Sequence, residues 1–552
     1  MDGTVLPPIP ELRLLVNKSE IRPDDIVSAW LSQLRARFED RRYDQLADLF
    51  IGDCWWRDIL GLAWDFTTKH GWQQIEAYLE GSDTIFTNLE PAAGGLKPFL
   101  VEWNGDSWIQ SAFLFRTKDG EGHGLVRLIN EPDGGWKAWT VFTELTKLHD
   151  REHEAAGCQK VQDIAMSRQI PQTNGCKEVA SVLIVGADHY PFLKYPENWP
   201  EWLGRDHTAD FLEHYSQIMG LDVRLNTTVT AVRRVASKYE VRASGPRGEH
   251  TFRPDHVVLA TGVYSDIPKI PELDGKDKFL GTIYHSIDHK SARAVPDLGD
   301  QNVVVIGCST SGHDIAQDFV NCGARHVSMI QRSPIFSVSR DSWKTTILGL
   351  WNTPGLTTEE ADLLGNSIPI PIVRTMSIGL TRSMASADKV MLNGLKKAGL
   401  AVRTGEDGYG LADHQLITGG HYYIDQGATQ MIIDGRIKVH QCEGGVKELG
   451  ERSVILADGT VLEADVIVMA TGWEKNILTV QKLMGDEVAA KLQGFGCLDS
   501  EQERNGWWRP TGIPGFWFMT GSFTWCRQFS RALALQIAHA IREQSEDQGL
   551  EQ

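Results

Sequence analysis

A chain of 552 residues is long enough for two to four domains, each with its own core. The formal net charge of −18 excludes a nucleic-acid partner, whose phosphates need a basic surface, and a polybasic membrane patch. The eight cysteines include no C-x-x-C pair, which argues against a redox dithiol or a zinc site and for reduced thiols in the cytoplasm.

Residues 1–150 read as a unit of their own. MDGTVLPPIPEL has no basic region followed by an apolar core, so no secretory signal is expected. Ile26, Val27, Trp30, Leu31, Leu34 and Phe38 have helical spacing just after Pro23-Asp24. The runs PFLVEW, SWIQSAFLFRT, HGLVRLIN and GWKAWTVFTEL follow, separated by the turn formers NGD, KDGEG and EPDGG. Helix followed by meander predicts a small cone-shaped α+β domain. Residues 151–178 are polar and read as a linker. No apolar run reaches the ~18 residues of a membrane span.

SVLIVGADHYPFLKYPENWPEW (181–202) starts as a nucleotide-binding strand that closes on Gly186. A glycine loop and a helix should follow, yet the chain enters a segment of prolines and aromatics. Further on, YEVRASGPRGEHTFRPDHVVLATG (239–262) reads as a hairpin, a buried strand and Ala-Thr-Gly, with Thr261 and Gly262 at its end. SVILADGTVLEADVIVMATG (453–472) repeats that plan. Between them, NVVVIGCSTSGHDIAQDF (302–319) is a β-branched run, a G-x-S-x-x-G loop and a helix start. Gly307, Ser309, Ser311 and Gly312 form the loop, whose helix N-terminus offers amides to a pyrophosphate. The next strand, HVSMIQRS, ends in Arg332-Ser333, not an acid; an arginine there favours a 2′-phosphate, hence NADP(H) over NAD. Two returns around an inserted strand–loop–helix predict an α/β chain of two nested Rossmann-like dinucleotide-binding domains, for FAD and NADP, behind the α+β cone.

These pieces resemble the flavin-dependent monooxygenases of the NADPH-using class. FLGTIYHS (279–286) is similar to that family's F-x-G-x-x-x-H-S element. The G-x-S-x-x-G loop and the two Ala-Thr-Gly returns stand in the family's order, and WWRPTGIPGFWFMTGSFTWCRQFSRALALQI (507–537) resembles its closing element, a strand ending near Gly521 and a helix. The resemblance covers roughly residues 180–545, and the first 150 resemble a nuclear-transport-factor-like domain. It implies an FAD-binding domain over 179–300 and 441–552, truncated near 187, and an NADP-binding domain with a helical insertion over 301–440. It also implies the chemistry: NADPH reduces FAD, O2 forms a C4a-hydroperoxyflavin, and one oxygen atom passes to a small organic substrate, in secondary metabolism. The cofactor-binding set is Gly186, Thr261, Gly262 and Gly521 for FAD, and Gly307, Ser309, Ser311, Gly312, Arg332 and Ser333 for NADP(H). No catalytic side chain and no metal are assigned; His285 is read as holding the domain junction. A helix beginning near Gln528 would point its N-terminus at the flavin. His289, where the family has an aromatic, leaves N- or S-oxygenation and Baeyer–Villiger chemistry both open.

Only twelve residues, 187–198, separate Gly186 from Trp199. A βαβ unit needs about thirty, so set against the family pattern the segment resembles an internal excision of the FAD loop, its helix and the ribose-binding strand. Three alternatives to an active enzyme follow: a non-catalytic NADP-binding relic, a shortened isoform acting through its front domain, or a disulfide reductase. The last ranks lowest, because it needs a reactive cysteine pair. One sheet face of the cone must be buried against something, which suggests a homodimer.

Overall fold

The computed structural model describes residues 5–103, 105–149, 189–196 and 198–550. The expected linker 151–178, the strand 182–185 and Gly186 lie outside these residues.

The front domain pairs a helix with a mostly antiparallel sheet. Pro23–Glu39 opens on a proline whose φ suits a first turn, followed by Asp24 and Asp25, which complement the helix dipole. It buries Val27, Trp30, Leu31, Leu34 and Phe38 in a core shared with Trp56, Phe113, Phe115 and Trp139 of the sheet. Phe99–Trp103, Asp106–Arg116, Gly120–Asn130 and Trp136–Leu148 form the expected antiparallel meander. Phe50–Ile59, absent from the sequence expectation, lies parallel to Trp136–Leu148. Its residues are buried almost throughout, so no polar–apolar alternation marks it as a strand.

The second face of this sheet is covered by the chain itself. Ile59, Phe66, Ala112, Leu125 and Phe142 share a core with Trp508, Phe516, Phe529 and Ala532. Arg57 meets Glu503 at 2.6 and 2.9 Å, and Arg509 meets Asp65 at 2.7 and 3.1 Å. The front unit is therefore packed into the rest of the molecule, and the face that suggested a homodimer is occupied in cis.

Asp58, at the buried heart of the front domain, accepts bonds from Leu62 N (2.9 Å), the Tyr78 hydroxyl (2.9 Å) and the Thr143 hydroxyl. Burial nevertheless pushes its carboxyl up to about 6. A raised folded value means the native state keeps a proton that the unfolded chain loses above pH ~4. Stability contributed by the neutral acid is thus present at low pH and lost as pH rises through about 6. Asp58→Asn should therefore gain on the wild type by about 3 kcal/mol between pH ~4 and ~7. Denaturation midpoints that stay a constant distance apart over that range would contradict this.

Behind the front domain, five parallel strands run in the order Thr282–His285, Val466–Met469, Asn302–Ile306, His326–Gln331, Ile437–Gln441. The helix Thr310–Asn321 crosses between the third and fourth, burying Ile315, Ala316 and Phe319 against them. The stretch between the last two strands is mainly helical and includes Arg340–Thr346, Thr358–Asn366, Ile370–Ala387, Lys389–Lys397 and Ala428–Ile433. The two expected hairpins are both three-stranded antiparallel sheets, Thr228–Val235 with Lys238–Gly245 and Gly248–Phe252, and Val446–Gly450 with Ser453–Leu456 and Val461–Glu463.

Candidate dinucleotide-binding site

The loop after Asn302–Ile306 leaves the middle of the parallel sheet. Gly307 has φ +114°, and a Cβ there would lie 2.3 Å from the Ala470 carbonyl; one on Gly312 would lie 2.1 Å from the Gly307 carbonyl. The loop thus presses on the second Ala-Thr-Gly return and the helix presses on the loop, a closeness only glycine permits. Ser309 is the N-cap but does not cap: its hydroxyl donates to the Tyr422 carbonyl at 3.3 Å, joined by Thr310 at 2.9 Å. Among the described residues Ser309 thus leaves the first-turn amides without a side-chain cap, and their dipole end faces outward as an anion site would. Ser311 lies in that same first turn.

Arg332 and Ser333 leave the neighbouring strand at the same end, since Ile306 pairs with Ile330. Gln331 donates to the Ser333 carbonyl at 3.1 Å and shapes the exit. Arg332 is exposed and has no ion pair among the described residues. Its stem passes beside Gly445, at the turn before Val446–Gly450. His313, one turn into the helix, stacks on Tyr423 with ring centroids 4.1 Å apart; burial lowers its pKa to about 4, so it is neutral near pH 7.

Thr261, Gly262 and Gly521 form a second group. They follow the parallel pair Val257–Leu259 and Phe516–Phe518, which meet with Leu259 opposite Phe518. Among the described residues this sheet has two strands. Tyr264–Pro268 and Trp473–Lys475 tie the two groups into an antiparallel ribbon. At its root the Gly472 carbonyl accepts from Lys269 N and from His285 Nε2, both at 3.0 Å. His285 is 2% exposed, burial lowers its pKa, and its Nδ1 accepts from Ile287 N. Both ring nitrogens are thus engaged in holding the junction, which leaves neither for proton transfer. His289 is likewise engaged, with Nδ1 3.0 Å from the Tyr284 hydroxyl and Nε2 3.0 Å from Asp318.

From His189 onward the described segment is a hairpin, not a helix. His189–Tyr190 pairs back on Leu193–Lys194, and the next helix, Arg205–Ile218, starts only at 205. The Tyr190 ring sits 5.2 Å from that of Phe523. The closing helix also departs from expectation: it is Phe523–Leu550, not a helix opening near Gln528. The Ser522 hydroxyl accepts from Trp525 N, a capping signal that sequence reading passed over. Arg527 and Gln528 lie in the second turn and bind Asp362 at 2.7–3.0 Å. Tyr422, whose carbonyl steadies the glycine loop, also escaped sequence reading; it acts through its backbone and leaves no side-chain signature.

Among the described residues no group of His, Cys, Asp or Glu could hold a metal, the six cysteines are unpaired, and no helix is long and apolar enough to cross a membrane. The pyridine nucleotide-disulphide oxidoreductase family matches residues 178–354. Indole-3-pyruvate monooxygenase YUCCA1 of Oryza sativa subsp. japonica is 27% identical over 299 residues, which is 54% of this chain and 66% of that protein. The probable indole-3-pyruvate monooxygenase YUCCA7 of Arabidopsis thaliana is 27% identical over 52% of this chain and 62% of its own length. The chain therefore spans slightly less than two thirds of these relatives. Cyclohexanone monooxygenase from Rhodococcus sp. Phi1, solved bound to NADP+, is 16% identical with a TM-score of 0.42, over 62% of this chain and 71% of that one.

Proposed function

We propose that this chain, which belongs to the flavin-containing monooxygenase family, derives from an enzyme that uses NADPH, FAD and O2 to oxygenate a small organic substrate. The observation that carries the reading is the ribbon rooted at Gly472, where the two nucleotide-binding returns are joined and held by His285. Such a joint brings two dinucleotides to one crevice, as hydride transfer from one to the other requires. The acidic surface and unpaired thiols support a cytoplasmic setting.

The residues fit NADPH. The first-turn amides of Thr310–Asn321 would take the pyrophosphate, and Arg332 would take the 2′-phosphate by a charge-assisted bond. Arg332→Ala should weaken NADPH binding by about ten- to a hundredfold, the worth of a hydrogen bond to a charged group. NADH should lose less than about twofold, since it offers no such phosphate. Equal losses in a binding titration would remove Arg332 from the site.

For FAD, the described residues supply no helix N-terminus close after Gly186. Thr261, Gly262 and Gly521 remain beside the two-stranded sheet, but hairpin and turns occupy the stretch in which the phosphate-binding helix must begin. This supports reading the chain as written as an NADPH binder with a damaged flavin site. The second reading, a non-catalytic NADP-binding relic or shortened isoform working through its front domain, rests on the same observation.

A further inference from the structure

The front domain encloses a cavity of about 590 Å³ between its sheet and the helices Thr358–Asn366 and Ile370–Ala387. That is room for a drug-sized molecule. Trp103, Trp108, Leu350 and Met376 make it largely apolar, yet Arg127, 4% exposed, is part of its lining.

Arg127 lies in a row across three strands, opposite Thr140 on one side and Gln110 on the other. Its guanidinium donates to Gln110 (3.0 Å), Thr140 (3.2 Å) and Ser367 (2.8 Å), all neutral. One N–H on each terminal nitrogen is left over. Four other deeply buried arginines in this chain each face a carboxylate: Arg57 with Glu503, Arg374 with Asp413, Arg509 with Asp65 and Arg527 with Asp362. Arg127 faces none among the described residues. An uncompensated buried cation is costly, and burial alone lowers its pKa to about 9. Among the described residues Asp106, the carboxylate of the lining, forms no ion pair with it, and Lys97 adds a second positive charge.

A second group points the same way. Arg127 pairs with Thr140 but Leu128 pairs with Ala138, so Trp139 is the extra residue of a β-bulge, a device that re-aims a side chain. Trp139 lines the cavity, and its indole N–H is buried with no acceptor among the described residues. We propose that this cavity binds a small organic carboxylate with an apolar body, its acid paired with Arg127 and its body against the tryptophans. A carboxylate supplies the missing charge and two acceptor oxygens in the fork geometry of a guanidinium. A neutral ligand would leave the cation uncompensated.

The site is independent of the monooxygenase reading and is tested without NADPH or FAD. Calorimetric titration of the full chain with 2-naphthoate should show one saturable site. The matched alcohol, 2-naphthalenemethanol, should bind at least about tenfold more weakly, consistent with loss of a charge-assisted pair. Arg127→Gln should abolish that preference. Absence of 2-naphthoate binding, equal affinity for acid and alcohol, or an acid preference kept in Arg127→Gln would each overturn the proposal. Should Arg127→Gln fail to fold, Met376→Trp fills the cavity from the helix side and leaves the arginine's bonds intact. It should eliminate 2-naphthoate binding, and retained binding would refute the site.

Discussion

Purified as the 552-residue chain, the protein should be colourless, with little or no flavin absorbance in the visible. The warrant is both spatial and chemical. FAD binding in a nested fold of this kind needs a helix N-terminus and close backbone amides at its pyrophosphate. Here residues 189–194 fold back as a two-strand ribbon, and among the described residues from His189 onward the first helix is Arg205–Ile218. Inserting a family-like segment of about 50 residues between Ala187 and Asp188, enough for a βαβ unit and a connecting loop, should restore a yellow protein. Oxygen-dependent consumption of NADPH should return with the colour. Stoichiometric FAD in the unrepaired chain would defeat the claim. It would show that Thr261, Gly262 and Gly521 suffice without the loop.

Arg57→Met should cost about 3–5 kcal/mol, the usual penalty for stranding one partner of a buried ion pair. Arg57 and Glu503 are both almost inaccessible, and their fork joins the first strand of the front domain to the segment before the closing helix. Glu503 also accepts from the Thr68 hydroxyl at 2.7 Å. Burial pulls its carboxyl upward, but Arg57 and these bonds outweigh that and hold it below the usual range. A depressed acid stabilises the fold above its unfolded value near 4.5 and loses that contribution as pH falls through the lower folded value. In Arg57→Met burial is opposed only by the Thr68 bond and the Arg509 charge, so the variant should lose most at neutral pH and least in acid. The double variant with Glu503→Gln should regain much of the loss. A single variant as stable as the wild type at pH 7, by chemical denaturation, would show that the fork does not anchor the domain.

The two predictions draw on different kinds of legibility. Strands such as Asn302–Ile306 and the helix after Gly307 were readable because their signal is local: a β-branched run, glycines at fixed spacing, then helical periodicity. The short gap after Gly186 was equally readable, because chain length limits what twelve residues can build. Phe50–Ile59 was not readable, since a strand buried almost throughout shows no alternation. Nor was the start of the closing helix, where Ser522 caps three residues ahead of Trp525 within a run of aromatics.

From sequence alone came the nested dinucleotide plan, the glycine loop with its neighbouring Arg332, the meander of the front domain and the short interval between Gly186 and Trp199. Periodicity, turn chemistry and chain length act over a few residues, so they survive in a linear reading. Only tertiary structure decided that the front domain shares a core with the C-terminal segment, and that His285 is engaged through Gly472. It alone revealed that Arg127 is buried beside a cavity without a carboxylate partner among the described residues. Arg57 and Glu503 are 446 positions apart, and Arg127 and Ser367 are 240. Whether a buried charge finds a partner depends on which distant segment the packed chain brings to it, and no local pattern encodes that return.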